Sequence, residues 1–548
     1  MNKVRAMPRR GRAGLTGIAA VSATLLAATP AYAAELANNE SYSVRLDNTL
    51  KYSAGVRTNS QDQVFLGNPN VDDGDRSFNK NSLITNRVDW LGELDASIKD
   101  KAGTGFRLSV AGWYDAVYLR DHAGVPAATF NQYSVAPNEF TRTARKVAGR
   151  SVEVLDAFVH SGVDLGGHDL SFRLGRHTLL WGESLFFTTN GIVQGQAPID
   201  ANSALTVPNI LAKQVFMPVN QASFSLSVNP SWSLQAYKQL EYRETRVSPP
   251  GTFFSTADLV FQGAERIIVP RAFGTANGYL YRGADQRPSD TEGQWGVAAK
   301  FADPNAGVDV GLYYLRYSDK TPQIYAAPGA GFNPVTGQIG TFNFIYPRKI
   351  ELFGVSASTT VGDANVAGEI SLRRNMPLIS NSSALVLAPG VDADHPLHAV
   401  GRTLHFQAST IWVVPRSPLW ETGSLLAEVG GHHLLDVTSN ASARDPLTGD
   451  TAFGARVVFE PKWYQVAPSL DVSVPIGLRY NFHKKRSPID PSFNGGEGPH
   501  GGQFNIGLNW SYATLWRGGL SLVRELGAAS TNNYKDRNFV VMNAQYTF

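Results

Sequence analysis

The feature that most limits what this chain can become is a two-residue rhythm that outlasts an ordinary strand. Between Tyr42 and Arg57 the even positions include Tyr42, Val44, Leu46, Leu50, Tyr52, Ala54 and Val56. The odd positions are dominated by Ser43, Arg45, Asp47, Thr49, Lys51, Ser53 and Arg57. Period-two alternation puts one kind of side chain on each face of a strand, and this run far exceeds the mean strand of about 5–6 residues. The pattern returns with Val88, Trp90, Leu94, Ala96 and Ile98 set against Arg87, Asp89, Glu93, Asp95 and Lys99. It returns again at residues 104–118, 221–228, 295–301, 308–314, 366–373, 404–412, 470–478 and 504–510, with Arg107 and Asp115 on one polar face and Glu369 and Arg373 on another.

Two architectures accommodate one apolar and one polar face per strand. A soluble sheet buries the apolar face in a core, whereas a transmembrane barrel turns it to lipid and keeps its polar face around a wet lumen. Strand length, full charges repeated along the polar faces, and aromatic residues near strand ends (Tyr42, Tyr52, Tyr114, Tyr118, Trp510, Tyr512) favour the barrel. Short links fall near Lys101, Gly166, Asn229, Asp303, Asp363, residues 414–420, Pro461 and Thr514. Long Gly/Pro/Asn-rich segments alternate with them, near 58–81, 120–150, 181–220, 246–292, 319–347, 376–400, 435–449, 483–501 and 527–536. Long outer loops alternating with short periplasmic turns predict an all-β, up-and-down antiparallel transmembrane β-barrel of about 18 strands, 16 being the alternative.

The ends of the chain agree with export. Lys3, Arg5, Arg9, Arg10 and Arg12 precede an apolar run from Leu15 to Ala28, and Ala31-Tyr32-Ala33 supplies a small-residue cleavage site. This is the anatomy of a secretory signal peptide, so residues 1–33 are expected to be removed near Ala33 and 34–548 to form the barrel. Of the 49 basic residues five lie in that segment, which leaves 44 against 46 acidic ones and a net charge of −2. No electrostatic footprint for nucleic acid survives. The chain has no Cys, which removes disulfide and thiolate-metal chemistry. The final strand alternates Val540, Met542, Ala544, Tyr546 and Phe548 with Val541, Asn543, Gln545 and Thr547. Ending on Phe548, it resembles the assembly signal of bacterial outer-membrane barrels, which implies the barrel-assembly machinery as a partner beside outer-membrane lipid and lipopolysaccharide.

One stretch breaks the rhythm. After Phe172 and Leu174, the run from His177 to Asp200 packs Leu179, Leu180, Trp181, Glu183, Leu185, Phe186, Phe187 and Asn190 among glycines. Irregular backbone at membrane depth is tolerated only inside protein or along a water-filled cavity. The segment is therefore expected to fold into the lumen as a greasy constriction, formed by Arg173, Arg176, His177, Trp181, Glu183, Phe186, Phe187 and Asn190, with Glu183 paired to a wall arginine. Arg45, Arg87, Asp89, Glu93, Arg107, Asp115, Glu369 and Arg373 are expected on the lumen wall, in contact with solutes or bridging one another.

Several blocks resemble a bacterial outer-membrane barrel family catalogued as a domain of unknown function, number thirteen hundred and two. They are Asn68 to Phe78, Glu153 to Val159, Leu174 to Ile192, Gly251 to Asp258, Tyr346 to Ser358, Gly368 to Leu378 and the closing DRNFVVMNAQYTF. The resemblance implies an outer-membrane location and traffic of apolar compounds, with a periplasmic carrier and an inner-membrane transporter as partners. Members are associated with genes for such components, which is association rather than mechanism.

The catalytic readings are weaker. Gly182-Glu183-Ser184-Leu185-Phe186 begins like the hydrolase elbow but ends in Phe and lacks the strand–turn–helix setting. Asp72-Asp73 and Asp121-His122 read as solvated loop charges. The run from Asn68 to Asp75 departs from the calcium-loop pattern, because Asp73 stands where Gly is required. His395, His398, His432 and His433 lack the H-E-x-x-H setting. No enzyme, cofactor or metal is assigned. The expectation is a channel for uptake or export of small apolar or amphipathic molecules. The alternatives are a non-conducting component of a lipid or hydrophobe export assembly and, behind it, an outer-membrane hydrolase.

Overall fold

The computed structural model describes residues 34–548 apart from 100–102, 209, 211, 274–275, 304, 330 and 492. The expected signal peptide and part of the Lys101 turn lie outside the described residues. The strands, in chain order, are β1 (Ala34–Asn38), β2 (Tyr42–Arg57), β3 (Leu83–Ile98), β4 (Thr104–Asp115), β5 (Arg150–Asp164), β6 (Asp169–His177), β7 (Val219–Ser227) and β8 (Trp232–Gln239). Next come β9 (Arg266–Phe273), β10 (Ala276–Arg282), β11 (Trp295–Asp303), β12 (Val308–Tyr317), β13 (Gln323–Pro328), β14 (Gln338–Ile345), β15 (Ile350–Val361) and β16 (Ala364–Pro377). The last are β17 (Val400–Val414), β18 (Thr422–Ser439), β19 (Thr451–Ala467), β20 (Leu470–Ser473), β21 (Ile476–Asn481), β22 (Gly502–Tyr512), β23 (Trp516–Leu526) and β24 (Phe539–Thr547).

Each barrel strand pairs antiparallel with its neighbours, and β24 closes the ring by pairing with β2 from Thr49↔Thr547 to Arg57↔Phe539. The ring has eighteen staves, because β20 and β21 are two pieces of one strand and β9, β10, β13 and β14 lie outside it. β1 continues the row of β24 along the lower part of β2, with Ala34 opposite Leu46. Closure leaves no edge for another chain to pair with. Among the described residues no helix is long and apolar enough to cross a membrane.

Burial is inverted relative to a soluble sheet. Trp90, Leu174, Phe224, Leu312, Phe406, Ile506 and Leu520 point outward and are exposed, while Lys51, Arg87, Ser109, Gln221, Arg373, His405 and Glu428 are buried inside. That is the distribution lipid outside and water inside would select.

Three expectations need correction. Pro461 is no turn; it lies inside β19, and the turn falls between Ala467 and Leu470. The partner strand breaks into β20 and β21 at Val474-Pro475, opposite Pro461, because neither proline can donate a ladder hydrogen bond. β18 runs on to Ser439, so the outer segment there begins later than 435. Tyr118 belongs to no aromatic girdle: it is buried against Phe78 and Phe140 in the outer loops.

The outer loops form a roof with its own core. Phe78, Tyr118, Phe140, Phe253 and Phe539 pack together there. Arg57 bridges Asp75 and Asp536, at 3.0 and 2.9 Å, and Arg537 also reaches Asp75 at 3.0 Å. Two buried cations against two buried carboxylates leave this network without net charge. A four-stranded sheet, ordered β13-β14-β10-β9 and parallel only between β10 and β14, lies within this roof. Its strands come from the segments after β8 and after β12, where the sequence shows no charged alternation to announce them.

Candidate functional site: a loop across the lumen

The wall is uneven in height. β6, β7 and β8 have 9, 9 and 8 residues, whereas β17, β18 and β19 have 15, 18 and 17. The chain leaves the low side at the end of β6 and does not rejoin the wall until Val219. Residues 178–218 cross the lumen in between.

The far wall holds this loop by its main chain. Glu369 on β16 accepts the N–H groups of Glu183, at 2.6 Å, and Ile192, at 2.8 Å. Glu428 on β18 accepts those of Leu185, at 3.1 Å, Phe187, at 2.9 Å, and Phe186 between them. Arg373 donates to the carbonyls of Asn190 and Gly191, the latter at 2.9 Å. Gln407 donates to Glu369 at 2.8 Å. Backbone donors aimed at a buried carboxylate stabilise its charged form and satisfy amides that water cannot reach.

Close approach makes the clamp possible. Gly182 has φ 92°, and a Cβ there would stand 2.2 Å from a Glu369 carboxylate oxygen. Gly430 leaves the gap into which the Phe187 ring fits, 3.1 Å from where a Cβ would be.

Asn190 is the centre of the polar contacts. Its Oδ1 faces the Nδ1 atoms of His405, at 2.9 Å, and His432, at 3.1 Å, and its Nδ2 donates to the Gly431 carbonyl at 3.0 Å. An accepting amide oxygen requires the Nδ1–H form of both rings, so each Nε2 accepts in turn: from Thr403 for His405 and from Ser487 for His432. These histidines are therefore structural partners of the loop.

The apolar side chains anchor rather than line the bore. Trp181, 2% exposed, packs edge-on to Tyr237 at 5.1 Å and lies 5.8 Å from Tyr313. Phe187 meets Phe493 at 5.4 Å, and the Arg456 guanidinium lies 4.6 Å over Phe186. Among the apolar residues at the start of the loop Leu180 is exposed, while Leu179, Leu185 and Phe186 are half-buried. The expected aromatic constriction is thus largely an aromatic attachment, because rings that size find more contact against the wall than in water.

The other half of the loop is tied to the near wall. Asp200 pairs with Arg246 at 2.7 Å, Arg246 and Arg243 reach Glu153 of β5, and Lys51 of β2 donates to the Pro208 carbonyl. The loop is therefore fastened at both sides of the ring. Beneath it a cavity of about 430 Å³ is lined by Arg107, Asp156, Phe158, His160 and Arg173, among others.

The expected residues distribute as follows. Trp181, Glu183, Phe186, Phe187 and Asn190 lie in the crossing segment. Arg173 sits on β6 below it, its guanidinium 5.7 Å from the Phe158 ring, and His177 bonds to Ser223 at the point of departure. Arg176 pairs with Glu241, at 2.9 Å, at the rim. Among the described residues Glu183 pairs with no arginine of the kind expected; the cation acting on it is Lys300 of β11. Most wall charges bridge one another: Arg45 with Asp47, Arg87 with Asp89, and Arg107 with Glu93, Asp95 and Asp156. Asp115 caps the start of an outer loop, accepting from Thr85, Asn86 and Val117. Glu369 and Arg373 are clamp residues, and sequence reasoning missed their partner Glu428.

The Ser184 hydroxyl is buried, with no hydrogen-bond partner among the described residues. A nucleophilic serine needs a base within reach, and this arrangement offers none.

A family model described as "Protein of unknown function (DUF1302)" matches residues 14–548. No curated protein matches the chain in sequence. Solved structures with a similar fold include OccAB2 of Acinetobacter baumannii, at 9% identity and a TM-score of 0.43, with 92% of this chain and 98% of that one covered. OpdK of Pseudomonas aeruginosa with vanillate gives 8% identity, a TM-score of 0.39 and the same coverages. The outer-membrane channel DcaP of A. baumannii gives 11% identity, a TM-score of 0.37, and 94% and 100% coverage.

Proposed function

The chain belongs to this DUF1302 family, and we propose that it is an outer-membrane channel for small apolar or amphipathic molecules, gated by the loop at 178–218. The observation that carries the reading is the cross-lumen clamp, in which two wall carboxylates hold five loop amides. A ring of eighteen strands encloses an aqueous interior unless something occupies it. Here the occupant is a segment of the wall's own chain, attached by polar contacts that can exchange with water. Leu179, Leu180 and Leu185 give the remaining surface of the loop an apolar character suited to such cargo.

On this reading the partners are outer-membrane lipid and lipopolysaccharide around the barrel, the barrel-assembly machinery at the strand ending in Phe548, and a periplasmic carrier with its inner-membrane transporter. Purified protein in planar bilayers tests the channel. Small conductance steps or solute entry into liposomes are expected, and folded protein that passes nothing, hydrophobic solutes included, would remove the reading.

One observation favours a second reading, a non-conducting component of a lipid or hydrophobe export assembly. The loop is fastened at both walls, by Glu369 and Glu428 on one side and by Lys51 and the Arg246 pair on the other. Silence in bilayers together with co-purification of a periplasmic carrier would favour it.

A further inference from the structure

Three outer-loop segments meet at a buried group that the clamp does not use. Asp72 and Asp73 come from the segment after β2, Asp258 from the segment after β8, and Asn131 and Gln132 from the segment after β4. Each of the three carboxylates offers an oxygen within 4.8 Å of the others, and all three side chains are fully buried.

The charges here do not balance as they do in the neighbouring arginine network. Asp72 is paired with Arg76. Asp73 and Asp258 form no ion pair among the described residues; the well-formed hydrogen bonds they accept come from backbone N–H groups, that of Asn131 to Asp73 at 3.2 Å and that of Asp73 to Asp258 at 3.1 Å. An isolated buried carboxylate is costly, and two side by side are more so. Each of the three aspartates also keeps one Oδ1 with no hydrogen-bond partner.

A second observation points to a ligand. Gln132 is 3% exposed, and neither its Nε2 nor its Oε1 has a hydrogen-bond partner of good geometry, although it faces the Asp73 carboxylate. The Oδ1 of fully buried Asn131 is unpartnered too. Gathered buried carboxylates, each with one oxygen left without a donor and an unpartnered amide beside them, are what a hard divalent cation coordinates, at about 2.3–2.6 Å for calcium. Carboxylate oxygens within 4.8 Å of one another are close enough to share one such ion. Among the described residues no imidazole or thiolate contributes to it, so the donor set suits calcium better than a transition metal.

We propose that Asp72, Asp73 and Asp258, with the side-chain amide oxygen of Gln132, bind one calcium-like divalent cation that fastens the segment after β2 to the segment after β8. The contact is already close: a Cβ on Gly74 would stand 2.7 Å from the Thr252 carbonyl oxygen and 2.8 Å from that of Ser255. The ion would cross-link the roof at this seam, and the site is independent of what passes through the lumen.

The test uses full-length protein in detergent, stripped with EDTA and titrated with calcium chloride alone. Heat-modifiable gel mobility confirms that each sample is folded. The expected result is one calcium per chain and a thermal midpoint several degrees higher. Binding should disappear in D73N/D258N and weaken several-fold in Q132L. Folded wild-type protein that takes up no calcium would overturn the proposal, as would undiminished binding by D73N/D258N. A wild type indifferent to calcium whose D73N/D258N variant is simply more stable would overturn it as well, showing that the pair shares a proton. If the double variant does not fold, D258N and Q132L read the same outcomes.

Discussion

Glu428 accepts the backbone N–H of Phe187 at 2.9 Å, from a strand eight staves around the ring from the one that leads into the loop. The carboxylate also accepts from the two preceding amides, so one side chain fixes three successive residues of a segment that the sequence leaves irregular.

Removing that charge should loosen the loop and leave the wall intact. A hydrogen bond to an ionised group contributes about 1.5–3 kcal/mol, and E369Q or E428Q weakens two or three of them together. The expected outcome is at least a tenfold rise in open probability in planar bilayers, larger in the double variant, with heat-modifiable gel mobility unchanged. Equal conductance in wild type and double variant would show that the clamp does not gate.

Gly182→Ala should act on the same contact from the loop side. It places a methyl group against the Glu369 carboxylate at a residue whose φ is 92°, a region that costs a non-glycine residue about 1 kcal/mol or more. Conductance like that of E369Q is expected, together with faster proteolysis between residues 178 and 200.

Ser184→Ala should change nothing that matters to passage. Its hydroxyl is buried without a partner, and deleting an unsatisfied polar group is neutral or stabilising. Unchanged conductance and an unchanged, background rate of ester cleavage are expected from paired assays; loss of a measurable esterase activity would revive the hydrolase reading.

The roof should respond to acid through His122. Burial holds its imidazole below the usual histidine range, outweighing the nearby Asp121 carboxylate. Its ring packs 4.7 Å from Phe140, and Nδ1 accepts the Gly124 N–H at 3.2 Å. With the folded value depressed, the unfolded segment binds more protons between that value and about 6.5, so stability is present above this window and is lost as pH falls through it. Hydrogen exchange across residues 121–140 should accelerate from pH 7.5 to pH 5, and H122F should flatten that response.

The barrel could be read because each strand carries its own evidence: Arg45, Asp47 and Lys51 share a face for a reason internal to residues 42–57. Pro461 misled because a proline usually marks a turn, whereas here Pro475 on the facing strand gives up the matching ladder bond. The roof sheet was missed because β13 and β14, QIYAAP and QIGTFNFI, have no charged partner face. Glu369 was placed on the lumen wall but not as an anchor, and Glu428 was not singled out, although a carboxylate on an inward face two residues before Gly430-Gly431 is the available signal. Asp258 lies 185 residues from Asp73, a separation across which no local pattern operates.

The hydrogen bonds from Glu369, Glu428 and Arg373 to the crossing segment read main chain, and only Asn190 and the two phenylalanine rings add side-chain contacts between residues 183 and 192. Glu369, Glu428 and Arg373 bind amides and carbonyls that any residue except proline presents. Leu185 could therefore be exchanged for another residue without detaching the segment, and Gly182, Phe187 and Asn190 are the positions that must stay. Such a lumen can be refitted for a different cargo by changing its furnishings while the fixings remain in the wall.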